Sequence, residues 1–158
     1  MSAESKLISL RIILPAEPPR IANYVGGIQV GSLLFMSGNG PRRADGSSVR
    51  GKLGIDLSLE QGYEAARLVG LGMLAGVRKE LGSLDRVRRL VRVTGMVNAA
   101  PDFEEQAKVI DGFSDLMVEV FGEAGRGARS APGMGSLPKQ VAVICDAIFE
   151  VEGDTTVM

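Results

Sequence analysis

The run Val141–Val151 restricts the fold more than any other segment. Val141, Val143, Cys145, Ala147, Phe149 and Val151 alternate with Ala142, Ile144, Asp146, Ile148 and Glu150. Successive side chains of a strand point to opposite faces. One face of this segment is therefore wholly apolar, and the other, which Glu152 continues, mixes apolar and acidic groups. Such a strand needs a hydrophobic layer on its first face only, and two segments are suited to supply it. In Ser58-Leu59-Glu60-Gln61 the spacing is that of a capping box, where the serine and glutamine side chains bond each other's backbone amides at a helix start. Tyr63, Ala66, Gly70, Met73 and Val77 continue that helix to about Leu81, and Gly82 suits its end. A second helix is expected from Pro101-Asp102, with Asp102 as N-cap and Glu105 at N3. Its apolar stripe is Phe103, Ala107, Ile110, Phe113, Met117 and Phe121, and Gly122 stops it.

The remaining elements fit around that core. Ala3–Leu10 reads as a short helix, and the prolines from Leu14-Pro15 to Pro18-Pro19 make the next stretch extended and stiff. Ile28–Val30 and Leu33–Ser37 flank Gly31-Ser32 as a hairpin. Gly38–Gly51 is a polar loop, and Leu53–Leu57 is either a short strand or the return of that loop. Val87–Asn98 alternates with Val87, Val91, Val93 and Val97 on one face, and Arg129–Met134 is a strand broken at Pro132. The expected fold is α+β, a single sheet of about six strands with two long helices on one face. One domain, residues 1–158, is expected, with 1–22 as an N-terminal extension and 23–152 as the core. Ala65, Ala66, Gly70, Gly72, Ala75 and Gly76 give the first long helix a small surface, which predicts close packing of its backbone on the sheet.

The chain has 158 residues, a formal charge of −1 and no histidine. That last count excludes Ser-His and Cys-His nucleophiles and every His-ligated metal site. A single cysteine, Cys145, forms no internal disulfide or thiolate cluster, and its place on the apolar strand face predicts a buried, inert thiol. No apolar run approaches a membrane span, and Met1–Lys6 lacks the pattern of a signal peptide, so a cytoplasmic protein without membrane contact is expected. Chemistry is left to carboxylates, Arg, Lys, Tyr, Ser and the backbone.

Two motifs come close and fail. Gly46–Leu53 nearly matches a phosphate-binding loop, but Leu53 stands where a hydroxyl should hold magnesium. Gly70-Leu-Gly72-Met-Leu-Ala75 matches a dinucleotide fingerprint but lies in mid-helix. Arg86, Arg88, Arg89 and Arg92 form one basic cluster, and Arg42, Arg43, Arg50 and Lys52 another. Near-neutral charge and 4% aromatic content argue for solvated, salt-bridged faces over nucleic-acid binding.

Leu33-Leu34-Phe35-Met36-Ser37-Gly38, and Ala128-Arg129-Ser130-Ala131 followed by Leu137-Pro138 and the Val141–Phe149 strand, resemble the YjgF-type reactive-intermediate deaminase (Rid) superfamily, also called endoribonuclease L-PSP-like. The resemblance runs from about Asn23 to Val151. Phe121-Gly122-Glu123 and Gly51-Lys52-Leu53-Gly54 look closest to a longer, divergent branch. It implies a chorismate-mutase-like fold and a homotrimer with ligand clefts between subunits. It also implies hydrolysis of enamines or imines to 2-keto acids and ammonia, with neither metal nor organic cofactor. Arg129 matches the arginine that holds the substrate carboxylate, for which a planar guanidinium is well shaped. Tyr24 matches a pocket tyrosine, and Ser37, Gly38, Asn39 and Ser130 are the other expected ligand contacts. The water-holding glutamate of active members falls at Ile144, the family's helix asparagine at Ala107 and its cysteine at Ala131. Asp146 shares a strand face with Ile144 and is the candidate replacement acid, about 7 Å along the strand. The reading is a trimer that binds a small carboxylate-bearing metabolite. Imine hydrolysis, a regulatory role without catalysis, and RNA binding or cleavage remain as alternatives.

Overall fold

The computed structural model describes residues 1–20 and 22–153. Helix α1 (Ala3–Ser9) is followed by strands β1 (Gly27–Val30) and β2 (Leu33–Asn39), and then by helix α2 (Leu59–Leu81). Strand β3 (Val87–Asn98), helix α3 (Gln106–Phe121), strands β4 (Ala128–Ser130) and β5 (Gly133–Met134), and strand β6 (Val143–Val151) complete the order. The mixed six-stranded sheet runs β1-β2-β6-β3-β4, and β5 also pairs with β3. β4 and β5 run parallel to β3, while its partner β6 and the β1–β2 hairpin are antiparallel. This is the expected α+β arrangement.

Central strand β6 behaves as its alternation dictates. Val143, Cys145, Ala147, Phe149 and Val151 are at most 2% exposed, packed under α2 and α3, while Ile144, Asp146 and Ile148 face the uncovered side. The capping box of α2 is formed in both directions, and Gly82 ends the helix with φ +83°. Burying the apolar sides of β2, β6, α2 and α3 removes large side chains such as Phe113, Phe149, Leu116 and Met73 from water. Each such side chain contributes about 1.5–3 kcal/mol.

Four local expectations are corrected. α3 begins at Gln106 without a side-chain cap, so Asp102 is not its N-cap. Residues 101–105 instead form a loop whose Phe103 lies over Gly54, a φ +91° glycine where a Cβ would come 3.3 Å from the Phe103 ring. The buried side of α3 uses Val109, Leu116 and Val120 beside Ile110, Phe113 and Met117, and Ala107 is exposed. In β3, irregular register at Val87/Arg89 and Leu90/Arg92 inserts extra residues, so Leu90 rather than Val91 joins Val93 and Val97 in the core. A bulge of this kind changes the parity of the strand. Finally, the small surface of α2 serves the other helix as well as the sheet. A Cβ at Gly70 would lie 2.8 Å from Leu116, and one at Gly112 of α3 would strike the Tyr63 carbonyl. Gly76 and Gly72 meet the sheet, through Met36 and Asn39 of β2.

The N-terminal segment is fastened to this core. Leu7 is 2% exposed, and Glu4 accepts hydrogen bonds from Arg78 Nη2 (2.6 Å) and Leu84 N–H (2.8 Å). The Arg78 contact holds the Glu4 carboxyl below the usual range.

Candidate functional site

β1 pairs only with Leu33–Met36, which leaves the second half of β2 without a strand neighbour on that side. The register between β2 and β6 also slips between Met36 and Asn39, so Ser37-Gly38 forms a bulge at this place. Bulges re-aim side chains and recur beside ligand sites. A cleft of about 350 Å³ opens here, within the range of small-molecule sites. Its walls are the Pro15–Arg20 segment with Tyr24, the Gly38–Gly40 backbone with Arg42, the flank of α2 at Gly72 and Ala75, and the Pro138–Val141 turn with Ile144. Small residues on α2 make room for it, and the prolines keep the N-terminal wall extended.

Tyr24, Gly38 and Asn39 line this cleft together. Ser37 lies beside it and donates to the Val25 carbonyl at 2.5 Å, while Asn39 Nδ2 donates to the Ser37 carbonyl at 3.2 Å. Ile144 stands directly over Gly38, where an added Cβ would come 3.0 Å from the isoleucine Cγ2. The carboxylate in the lining is Glu17, already bound to Arg20 (2.9 Å) and Lys79 (3.2 Å). The Arg20 guanidinium also lies 5.6 Å from the centroid of the Tyr24 ring, a cation–π distance.

Asp146 is placed outside the cleft. It shares a shallow trough on the uncovered sheet face with Tyr24, Phe35, Ser37, Ile144 and Ile148. Partial burial among these neighbours pushes its carboxyl above the ordinary aspartate range, and Arg92 pulls it back. Ser130 lies on the same face, where its Oγ accepts from Arg92 Nη2 at 2.8 Å.

Arg129 is placed elsewhere again. Residue 129 is level with Val93, whose side chain is buried against the helices, so the arginine points to the helix side of the β4 edge. Its Nη1 donates to Asp111 Oδ1 (2.8 Å) and Ser114 Oγ (3.2 Å) on α3. Within one chain, then, Arg129 and Asp146 occupy opposite faces of the sheet, and Arg129 sits at the edge remote from the Tyr24 cleft.

Sequence reasoning missed Glu17, Arg20 and Lys139 as lining residues, and took Arg42 only as part of a basic cluster. The Pro-rich segment and the Leu-Pro-Lys step were the available signals. Cys145 is fully buried, and burial pushes its thiol well above the usual range, which fits an inert packing role. Among the described residues, no group of three His, Cys, Asp or Glu side chains could hold a metal ion, and no helix is long and apolar enough to cross a membrane.

A family model described as "YjgF/chorismate_mutase-like, putative endoribonuclease" matches residues 4–149, and the chain belongs to that family. A Trypanosoma cruzi relative, Protein TCP17, is 40% identical over 148 residues, covering 93% of this chain and 92% of its own. The crystal structure of Atu1372 from Agrobacterium tumefaciens, a protein of unknown function, is 39% identical with a TM-score of 0.86, covering 95% of this chain and 92% of its own. A Shewanella oneidensis structure described as a "putative endoribonuclease" is 32% identical with a TM-score of 0.91, covering 96% and 100%.

Proposed function

We propose that the protein is a cytoplasmic homotrimer that binds a small carboxylate-bearing metabolite in clefts between subunits. The observation that carries this reading is the gathering of Tyr24, Gly38 and Asn39 in one cleft whose lining carboxylate, Glu17, is already ion-paired twice. Such a lining favours an incoming anion over a cation. The uncovered sheet face supports assembly. Ile28, Val30 and Phe35 are 57%, 63% and 40% exposed and extend the apolar surface of Ile144 and Ile148, which is the kind of patch a partner copy covers. Arg129 enters as the neighbour's contribution. In a closed ring, one copy's β4 edge meets the next copy's cleft, and Arg129 exchanges Asp111 for the ligand carboxylate.

Hydrolysis of an imine needs a group that positions water and takes its proton. By the family resemblance Ile144, which lines the cleft, stands where such a group would act, and Asp146 lies in the trough outside. Binding without efficient turnover is therefore the expected activity. Titration calorimetry with 2-oxobutyrate, alongside ammonia release from 2-aminoacrylate generated in situ, tests the reading. Saturable binding that weakens in Arg129→Ala, with release near the uncatalysed rate, supports it. Absence of 2-oxobutyrate binding, or a monomeric mass in solution, contradicts it.

A further inference from the structure

We propose that the cleft is built for acids carrying two anionic groups, and that Arg42 and Lys139 are the residues that recognise the second one. This rests on the assignment of the cleft as the ligand site, with Arg129 of a neighbouring copy holding the first carboxylate.

The argument begins with the charges in the lining. Arg20 is satisfied, with Glu17 at 2.9 Å on one side and the Tyr24 ring on the other. The side chains of Arg42 and Lys139 have no hydrogen-bond or ion-pair partner among the described residues, and Glu17 is the one acid that lines the cleft. Among the described residues, the lining therefore carries two exposed cations that no acid pairs. A single carboxylate held by Arg129 would leave both of them uncompensated.

The backbone shows that this placement is held firmly. Lys139 and Gln140 have φ values of +54° and +59°, consecutive non-glycine residues in the left-handed region. Such conformations persist only where the surroundings enforce them, and they cluster at ligand sites. Here the enforcement is visible. Gly51 N–H donates to the Gln140 carbonyl at 2.8 Å, and Gln140 N–H donates to the Leu137 carbonyl at 2.9 Å. Asn98, 0% exposed, reaches Gln140 Oε1 with its amide and accepts from Lys52 Nζ at 2.9 Å, and Lys52 also donates to the Gly135 carbonyl. Lys52 and Asn98 thus secure the turn that presents Lys139, while Lys139 itself remains unengaged. Arg42 is fixed comparably. It bridges Ser48, another lining residue, and the adjacent Arg43 ties the loop through Ser47 Oγ and the Ser48 carbonyl.

A matched pair of probes tests the proposal. 2-Oxovalerate and 2-oxoglutarate have the same carbon chain and differ in whether a methyl or a second carboxylate ends it. At low ionic strength, wild-type protein should bind 2-oxoglutarate about tenfold or more tightly than 2-oxovalerate, since a charge-assisted hydrogen bond is worth that much. Arg42→Ala and Lys139→Gly should each shrink the ratio towards one while leaving 2-oxovalerate affinity within about twofold. Lys139→Gly also suits the left-handed backbone, so it removes the charge without threatening the fold. Equal affinity of the wild type for both acids overturns the proposal and leaves the carboxylate reading standing. A ratio unchanged in both variants overturns it as well. Failure of both acids to bind overturns the proposal together with the reading it rests on.

Discussion

The two edges of the sheet both present arginine, and the neighbours of each arginine differ. At the β4 edge Arg129 is engaged by Asp111 and Ser114 on α3, at 2.8 and 3.2 Å. At the β2 edge, Arg42 lines a cleft beside Lys139 with its side chain unpaired among the described residues. An ion pair of this partly exposed kind is weak, so Asp111 orients Arg129 without locking it. Positive charge alone does not define a binding site. The partly exposed Asp111 contact leaves Arg129 open to exchange, whereas Arg42 is exposed to water without a side-chain partner among the described residues. On the proposed reading each edge supplies half of a site, and a second copy joins them.

The largest expected effect comes from changing the wall between the cleft and the sheet face. Ile144→Glu places a carboxylate over Gly38, and a positioned acid–base group is worth roughly 10²-fold or more in rate. Ammonia release from 2-aminoacrylate should rise by about that factor. No rise would mean that the cleft does not hold the reacting carbon beside this strand. Next comes the β4 edge. Arg129→Ala should weaken 2-oxobutyrate binding by about 10- to 100-fold, the worth of a charged hydrogen bond. Asp111→Asn, which frees the same arginine, should strengthen binding by about twofold to fivefold. Calorimetry on both variants would break the comparison if they moved affinity in the same direction.

Stability supplies two smaller tests. Lys139→Gly relieves a left-handed lysine and should raise the urea midpoint by about 1 kcal/mol equivalent, offset in part by the added freedom of the unfolded chain. Asp146→Asn, on the sheet face that the proposed ring would cover, should act by about 1 kcal/mol or less. The folded pKa of Asp146 is raised, so the folded state binds its proton more tightly than the unfolded state does. Its contribution is therefore most favourable below the unfolded value near 3.8 and is lost as pH climbs through the folded pKa. Wild-type protein should lose that increment on going from acid towards neutral pH, and the asparagine variant should not.

The parts of the fold encoded within a few residues were readable in the sequence. The alternation of β6 and the Ser58/Gln61 box are local patterns, and both appear in the structure as written. The start of α3 was misread because Asp102 and Glu105 carry capping chemistry while Phe103 is drawn away to cover Gly54. Val91 was assigned to the core face because the β3 bulges are properties of pairing with β6 and leave no mark on spacing. The site divides in the same way. Tyr24, Gly38 and Asn39 are expected site residues by family resemblance alone, and they line one cleft. Arg42 and Lys139 are distant in sequence and meet only through folding, and the turn that presents Lys139 depends on Gly51, Lys52 and Asn98 from two other segments. Arg129 and Asp146 lie close to one another in the chain, yet the parity of their strands sends them to opposite faces.

The central claim is that a working site takes its cleft from one copy and Arg129 from another, and mixing two defective variants tests it most directly. Ala75→Trp fills the cleft from the flank of α2, and Arg129→Ala removes the carboxylate contact, so each variant alone should bind 2-oxobutyrate poorly. If the copies are unfolded and refolded together in equal amounts, random assembly of closed trimers should restore about a quarter of the sites. Calorimetry should then show that fraction at close to wild-type affinity. Recovery of no sites in the mixed protein, with both variants folded, would contradict the account and place the whole ligand contact within a single chain.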